Sequence, residues 1–142
     1  MRKVRDWNEY FMGIAHEVKK RSKDPSTQVG CVIVNKNNQI VGTGYNGMPA
    51  DLFEYDYWQD RDLKLKTVIH SEKNAVGNLV ADAKGGSAYV TLHPCSDCLK
   101  GLIAAGIKKI YYDEDREGYA FIDECKDLIE IYGMKLKQCS PD

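Results

Sequence analysis

Two short segments, well separated along the chain, constrain the fold more than any other feature. The first is His70-Ser71-Glu72 and the second is Pro94-Cys95-Ser96-Asp97-Cys98. Zinc held by three protein ligands keeps a fourth position for water, as in catalytic sites, whereas a structural zinc is closed by four. Any fold of this chain therefore has to bring His70 beside Cys95 and Cys98.

Glu72 follows the histidine at a spacing that lets its carboxylate move protons beside the metal without binding it. The pattern H-x-E…P-C-x-x-C is typical of zinc enzymes that hydrolyse the amine from a cytosine or adenine ring. Zinc lowers the pKa of bound water from about 16 to roughly 7, and Glu72 is the predicted catalytic acid and base. The alternative is a structural zinc site with His93 as the fourth ligand, which leaves Glu72 without a task.

Composition and charge bound the class of protein. The chain has 142 residues, 43% hydrophobic and 29% charged, which predicts a single domain over residues 1–142. The formal net charge is −1, so a small ligand is favoured over polymeric nucleic acid, which usually requires a basic excess. The count of five cysteines and the lack of a leader argue against disulfides and predict a reducing, cytoplasmic compartment. No apolar run approaches a membrane span.

Hydrophobic periodicity predicts the elements. The first half should contain a helix from a capping box at Asp6 to Asp24-Pro25 and strands at Val29–Val34 and Gln39–Tyr45. The stretch from Met48 to Thr67 has no clear period and is interpreted as a lid, an oligomer contact or a packed loop. The second half should contain helices at Ser71–Ala83, Ser96–Ala105 and Phe121–Tyr132, and strands at Ala88–Leu92, Ile107–Tyr112 and Met134–Lys137.

The alternation of strands and helices in the second half predicts parallel strands joined by right-handed crossovers. The predicted fold class is therefore α/β, a three-layer α/β/α sandwich on a mixed sheet of about five strands. In open α/β sheets, ligands bind beyond the carboxyl ends of the strands. Cys95 falls at such a position, directly after a predicted strand.

The chain resembles the deoxycytidylate (dCMP) deaminase family between Arg21 and Tyr112. Besides the two zinc segments, the matching stretches are Arg21–Gly30, Val41–Pro49, Tyr89–Leu92 and Ala105–Ile110. The resemblance implies a cytidine deaminase-like fold, conversion of dCMP to dUMP for thymidylate synthesis, and a homohexamer. One catalytic zinc per chain is expected, because the short stretch between Gly47 and His70 lacks the extra Cys and His ligands by which some members hold a second zinc.

The resemblance also implies regulation by nucleotides. Family members are commonly activated by dCTP with Mg²⁺ and inhibited by dTTP, at a site between subunits that includes Gly44, Tyr45, Asn46 and Gly47. A loop flanked by glycines can bring backbone N–H groups close to phosphate oxygens. A plain tight turn after a strand fits the same residues.

Five further residues are predicted to contact substrate, with ordinary turn or packing chemistry as the alternative for each. Ser22 and Lys23 would meet the phosphate, because they lie in a matching stretch before a proline. Thr27 and Asn46 would hold the sugar or the base. Tyr119, after the fourth strand, would border the pocket.

Two departures from the family pattern bear on substrate choice. Ser71 stands where the family usually has alanine, and His93 stands where other residues are usual. They predict a wider substrate range that includes dCTP. The alternative functions are another cytidine- or adenosine-type deaminase, a catalytically silent nucleotide sensor, and a zinc-stapled interaction module. Near-neutral charge disfavours a deaminase acting on polymers, and the intact Glu72 disfavours the last two.

Overall fold

The computed structural model describes residues 1–49, 58–116 and 122–142. Tyr119 and Phe121 lie outside these residues, as do most aromatic residues of the stretch predicted as a lid or loop. The elements in the described ranges are α1 (Trp7–Lys19), β1 (Gly30–Val34), β2 (Ile40–Tyr45), α2 (Arg61–Thr67), α3 (Ser71–Gly77), β3 (Ser87–Leu92), α4 (Ser96–Ala104), β4 (Lys109–Glu114), α5 (Ile122–Tyr132) and β5 (Lys135–Gln138). None of these helices has the length and apolar character that a membrane span requires.

The five strands form one mixed sheet in the order β2-β1-β3-β4-β5. β1 is antiparallel to both β2 and β3. β4 is parallel to both of its neighbours, β3 and β5. The parallel half places the carboxyl ends of β3 and β4 at the same edge. The predicted mixed five-stranded sheet and its parallel second half are confirmed.

Helices cover both faces of the sheet. α1 packs on one face, where Phe11, Met12 and Ala15 join Val32 and Tyr89 in a buried cluster. On the other face, Ala75 of α3, Leu99 and Leu102 of α4 and Cys125 of α5 form a second cluster. Successive residues of β1 alternate between the two clusters, as strand geometry requires. The predicted three-layer α/β/α sandwich is therefore confirmed.

Gly44 lets α3 lie unusually close to β2. A Cβ atom on this residue would lie 2.3 Å from the backbone nitrogen of Ala75 and 2.5 Å from the carbonyl oxygen of Ser71. Both distances are far inside van der Waals contact, so only glycine fits. The close approach fixes the start of α3 relative to the sheet, and with it the segment that contains His70.

Two helices end earlier than predicted. α1 ends at Lys19 and not at Asp24-Pro25, because the chain turns at Ser22, whose hydroxyl donates a 2.8 Å hydrogen bond to the carbonyl of Asn46. α3 ends at Gly77 and not near Ala83, because Val80 donates its N–H to the Val41 carbonyl of β2 at 2.9 Å. In both places a long-range contact replaces the next helical turn.

The stretch predicted to lack regular structure contains α2. Asp60 caps this helix by accepting the N–H of Leu63 at 3.1 Å, yet none of its residues is buried. A helix without a buried stripe leaves no hydrophobic period in the sequence. The other boundaries agree with the prediction to within two residues.

Candidate active site

The structure brings His70, Cys95 and Cys98 together. Their ligand atoms all lie within 4.8 Å of one another. His70 Nδ1 is 3.2 Å from Cys98 Sγ and 3.6 Å from Cys95 Sγ. Ligand atoms about 2.0–2.3 Å from zinc in a tetrahedron lie roughly 3.3–3.8 Å from one another. The cluster therefore fits zinc in both donor type and spacing.

Two helix starts position these ligands. His70 is the residue that precedes α3, Cys95 precedes α4, and Cys98 lies in the first turn of α4. The buried side chains of α4 anchor that helix in the core, which fixes both sulfurs. Cys98 also donates its backbone N–H to Cys95 Sγ at 3.4 Å. Helix N-termini carry partial positive charge, which favours thiolate over thiol.

The pKa values of these three side chains depend on one another. The hydrogen bond from the Cys98 thiol, helped by His70 and opposed by burial, lowers the pKa of Cys95 to about 3. The same hydrogen bond and burial raise the pKa of Cys98. The hydrogen bond to Cys95 raises the pKa of His70. Metal ligands of this type bind as thiolates and neutral imidazole, so His70, Cys95 and Cys98 would have to lose their protons to hold zinc.

His93 is not among the clustered ligands of the described ranges. Its ring is buried, with Nδ1 2.8 Å from the carbonyl oxygen of Pro94, and it packs against Tyr112 with ring centroids 4.7 Å apart. The sequence alternative of a structural zinc closed by His93 thus finds no support.

Glu72 lies in the first turn of α3, and its side chain is 3% exposed. It borders a cavity of about 300 Å³ that His70 also lines. The Ser71 hydroxyl donates a hydrogen bond to Glu72 Oε1, which holds the carboxylate in place. A buried carboxylate beside a three-ligand metal cluster has the placement that a proton-transfer group needs.

A polar hub centred on Asp24 also lines this cavity. The buried carboxylate accepts hydrogen bonds from Lys64 Nζ at 2.8 Å, Asn46 Nδ2 at 3.2 Å and the N–H groups of Ser26 and Thr27 at 2.9 and 3.2 Å. Burial raises the pKa of Asp24, but the Lys64 ammonium and the two N–H groups outweigh it and lower the pKa. The hub joins the segment after α1 to α2.

The structure separates the predicted substrate residues. Thr27 and Asn46 line the cavity of Glu72, although the Asn46 amide already bonds the N–H of Val29 at 2.8 Å and the carbonyl of Thr27 at 2.8 Å. Ser22 is occupied with the Asn46 carbonyl and does not line this cavity. Lys23 lines a different one. Tyr119 lies outside the described residues.

The second cavity, of about 330 Å³, lies where the regulatory residues were predicted. Its lining includes Arg21, Lys23, Tyr45, Gly47, Trp58, Asn74 and Asn78. Gly44 is inside β2 and faces α3, and the N–H groups of Asn46 and Gly47 bond the carbonyls of Val29 and Ile69 at 3.2 and 3.0 Å. The expected cradle of backbone N–H groups is therefore not formed by these two residues, whose N–H groups stabilise the fold.

Sequence reasoning missed three cations that line the cavity of Glu72: Arg61, Lys64 and Arg116. Arg61 and Lys64 are on one side of α2, whose existence was not predicted. Arg116 follows β4 at the edge where ligands of α/β sheets bind. Arg116 could have been predicted by applying to β4 the rule that was applied to β3, namely that ligands bind beyond the carboxyl end of a strand.

The zinc-binding region of cytidine and deoxycytidylate deaminases, as a family, matches residues 5–114. The chain belongs to this family. Deoxycytidylate deaminase from Mus musculus is 48% identical over 118 residues, which cover 78% of this chain and 66% of that protein. The corresponding protein from Homo sapiens is 45% identical with the same coverage. The chain thus spans slightly less than two thirds of the length of these relatives.

Solved structures give the same fold. The dCMP deaminase from cyanophage S-TIM5, in complex with dCMP and dUMP, has a TM-score of 0.76 and 25% identity, covering 97% of this chain and 100% of that one. The predicted cytidine deaminase-like fold is confirmed. The Thermotoga maritima diaminohydroxyphosphoribosylaminopyrimidine deaminase/reductase matches with a TM-score of 0.69 and 21% identity, over 36% of its length, which extends the likeness of fold to a bifunctional protein.

Proposed function

We propose that this chain catalyses the hydrolytic deamination of dCMP, in which water replaces the ring amine and the products are dUMP and ammonia. The observation that carries the proposal is the buried Glu72 carboxylate in one cavity with His70, which clusters with Cys95 and Cys98. Family membership and two relatives named deoxycytidylate deaminase support it. The S-TIM5 enzyme, solved with dCMP and dUMP, supports the choice of substrate.

Each residue of the site has its own role in the proposed reaction. Zinc held by His70, Cys95 and Cys98 would supply a water that ionises near neutral pH. Glu72 takes the proton of the attacking water and delivers it to the ring nitrogen beside the amine. It then takes the second water proton from the hydroxyl now on the ring carbon and passes it to the amine, so that the carbonyl forms as the carbon–nitrogen bond breaks and ammonia leaves. The Ser71 hydroxyl keeps one carboxylate oxygen fixed during these transfers.

One assay tests the activity and its substrate. Purified zinc-loaded protein is incubated separately with dCMP, dCTP, CMP and cytidine, and the loss of ultraviolet absorbance is followed. Turnover of dCMP, with slower turnover of CMP and cytidine, is expected. Turnover of dCTP would bear out the wider substrate range that Ser71 and His93 led us to propose. A protein that deaminates only cytidine, or nothing, contradicts the proposal.

Regulation by dCTP with Mg²⁺ and by dTTP is a further part of the proposal. The second cavity supports it, because Arg21 and Lys23 bring two positive charges to its lining and Tyr45 an aromatic ring. Trp58 lines it too, and its buried indole N–H has no hydrogen-bond partner among the described residues. The dCMP assay repeated with each nucleotide should show activation by dCTP and inhibition by dTTP, both weakened in Lys23→Ala. Equal responses in wild type and variant would mean that dCTP and dTTP do not bind at the second cavity.

We also propose a homohexamer in the cytoplasm. Exposed apolar side chains, among them Trp7 at 57% and Ile131 at 73%, offer surface for subunit contacts. The five cysteines are free, which suits a reducing compartment. Light scattering coupled to gel filtration should give six times the 16.1 kDa mass of the chain. A monomeric mass at micromolar concentration contradicts the assembly.

A further inference from the structure

The N-terminal segment and the first turn of α1 form a groove that the proposed reaction does not use. Its volume is about 800 Å³, and among the described residues it shares none of its lining with the cavity of Glu72. The lining includes three basic and two aromatic side chains: Arg2, Lys3, Arg5, Trp7 and Tyr10. We infer that this groove binds a short stretch of single-stranded nucleic acid, with bases stacked on the rings and phosphates beside the basic side chains.

The two aromatic rings of the groove are supported by the core but remain open to solvent. Trp7 stacks on Phe11 with ring centroids 5.6 Å apart and planes 17° from parallel, and Tyr10 packs against Phe11 at 5.1 Å. Phe11 is 1% exposed, whereas Trp7 is 57% and Tyr10 45% exposed. One face of the indole is therefore fixed on the core, and the other is open to a base. Stacking of this kind tolerates any base, because every base has a flat π-face.

The basic side chains belong to a segment that contacts α1. Asp6 caps the helix by accepting the N–H of Glu9 at 2.9 Å, which fixes the turn between the segment and α1. Arg5 lies along the helix, with Nη1 3.3 Å from the position that a Cβ atom on Gly13 would take. Its Nη2 is 3.4 Å from the Asp142 carboxylate, in an exposed pair of the kind that contributes little stability. Because the segment is held against α1 in this way, the groove is part of the folded domain.

The charge of the groove favours an anionic partner. Three of the first five residues are basic, although the formal net charge of the whole chain is −1. The net charge that disfavours polymeric nucleic acid is thus an average over a chain with a local basic patch. Arg5 is paired with Asp142, whereas Arg2 and Lys3 have no ion-pair partner among the residues that the structure describes. A single strand carries one negative charge per nucleotide, so two successive phosphates can pair with Arg2 and Lys3.

Charge and size disfavour two other occupants, a second copy of the chain and a free nucleotide. In a two-fold contact the patch would face itself, and the basic side chains of both copies would be brought together at a cost in affinity. Subunit contacts of the proposed hexamer then fall to exposed apolar side chains elsewhere, such as Ile131 at the end of α5. The groove has more than twice the volume of the Glu72 cavity, the proposed site of one nucleotide, so a strand fits it better than a monomer.

The test is the fluorescence anisotropy of a labelled oligothymidylate of about ten nucleotides, titrated with the full chain at low salt. We expect saturable binding that Trp7→Ala weakens by about 5–100-fold, the usual effect of losing a stacked base. The double variant Arg2→Ala, Lys3→Ala should reduce the slope of log affinity against log salt by about 1.4, because each phosphate contact contributes about 0.7. Tyr132→Ala, at an exposed ring of α5, and Lys36→Ala, at an exposed lysine after β1, are the matched controls.

Competitors distinguish a strand from other anions. Unlabelled dTMP and polyglutamate of the same total charge should displace the oligothymidylate only at concentrations about 100-fold above those of the unlabelled strand. Equal competition by polyglutamate would mean that the groove responds to charge alone and would overturn the role of stacking. Equal competition by dTMP would make the groove a mononucleotide site and would overturn the choice of a strand.

Two further measurements separate this inference from the other proposals. The mass from light scattering should be the same in Trp7→Ala and wild type, and a lower mass would assign the ring to a subunit contact and overturn the inference. Turnover of dCMP by Trp7→Ala should stay within twofold of wild type, so the deaminase proposal and the groove can fail independently. If Trp7→Ala does not fold, as judged by circular dichroism, the double variant decides, because Arg2 and Lys3 lie outside every helix and strand. An unchanged salt slope then counts against the inference.

Discussion

The two walls of the cavity are built by different forces. On the zinc side, α3 and α4 carry the reactive groups and are anchored by buried apolar residues such as Ala75, Leu99 and Leu102. On the polar side, α2 has no buried residue, and it contacts the segment after α1 through the ion pair of Lys64 and Asp24. The side chains of the zinc-type cluster are therefore held by apolar packing, and the rest of the lining is held by polar contacts. Changes on the first wall should abolish turnover or the fold, and changes on the second should alter affinity.

The largest expected effect is on the zinc side. Glu72→Gln removes the proton-transfer group and keeps the shape of the side chain, so turnover of dCMP should fall by about 10²–10⁴. Zinc content, measured by plasma emission spectroscopy, should remain one ion per chain, because Glu72 is not a ligand. Asp97→Asn, at an exposed acid in the first turn of α4, should leave the rate unchanged.

A Glu72→Gln protein that keeps more than a tenth of the wild-type rate would remove Glu72 from its role. Loss of zinc together with activity would instead mean that the carboxylate supports the metal site. Either result would change how the first wall is understood.

The next effect tests whether apolar packing really fixes the zinc side. Gly44→Ala would place a methyl group 2.3 Å from the Ala75 nitrogen, so α3 must move or the protein must lose stability. Overpacking of this kind typically costs about 1–3 kcal/mol, and contact with backbone places this residue at the upper end. The free energy of unfolding from urea titration measures it, and zinc affinity should fall with it because His70 moves with α3.

Gly101→Ala is the control for that substitution, because a methyl group there has no neighbour within 4 Å. Replacing glycine in the middle of α4 should raise stability by about 0.5–1 kcal/mol. If Gly44→Ala and Gly101→Ala change the free energy of unfolding equally, the position of α3 does not depend on its close approach to β2.

The same division explains which parts could be predicted from sequence. The clustering of His70, Cys95 and Cys98 was predictable because metal binding requires those residue types at that spacing, and because both segments open helices with clear signals. The sheet was predictable because buried strands are apolar and the turns between them have their own residues. These features are local in the chain or fixed by chemistry.

The polar side of the cavity was not predictable, because its features are neither local in the chain nor fixed by chemistry. α2 leaves no hydrophobic period, so Arg61 and Lys64 could not be placed. The ends of α1 and α3 depend on contacts of Ser22 and Val80 with β2 or the residue that follows it, which are distant in sequence. Lys23 was placed at the substrate phosphate, yet the turn after α1 directs it to the second cavity.

A smaller effect is expected from the polar hub. Asp24→Asn leaves Lys64 without its charged partner and should reduce stability at pH 7 by about 1–3 kcal/mol. Because the folded-state pKa of Asp24 is lowered, its contribution is fully present above the unfolded value of about 3.9 and is lost as pH falls through the folded value. The stability difference between wild type and variant should therefore shrink in acid.

Urea titrations between pH 7 and pH 3 check this dependence, with Asp82→Asn as the control at an exposed carboxylate. The KM for dCMP should also rise in Asp24→Asn, because Thr27 and Asn46 lose a shared anchor. Zinc content should not change, since the hub contains no metal ligand. A stability difference that is constant over this pH range would mean that Asp24 is not held as the structure shows.

The smallest effect is expected at Ser71, where the zinc side itself contains a polar contact. Ser71→Ala removes the hydroxyl that donates to Glu72 Oε1, and the usual contribution of about 1 kcal/mol for such a bond corresponds to a loss of roughly fivefold in kcat. KM for dCMP and zinc content should stay the same, because the serine orients a proton carrier and touches neither phosphate nor metal. Ser96→Ala, at the equivalent first position of α4 after Cys95, is the matched control and should have a smaller effect. If Ser71→Ala instead changes the ratio of dCTP to dCMP turnover, the hydroxyl acts on substrate choice, and the separation between a reactive wall and a recognition wall would not hold at this residue.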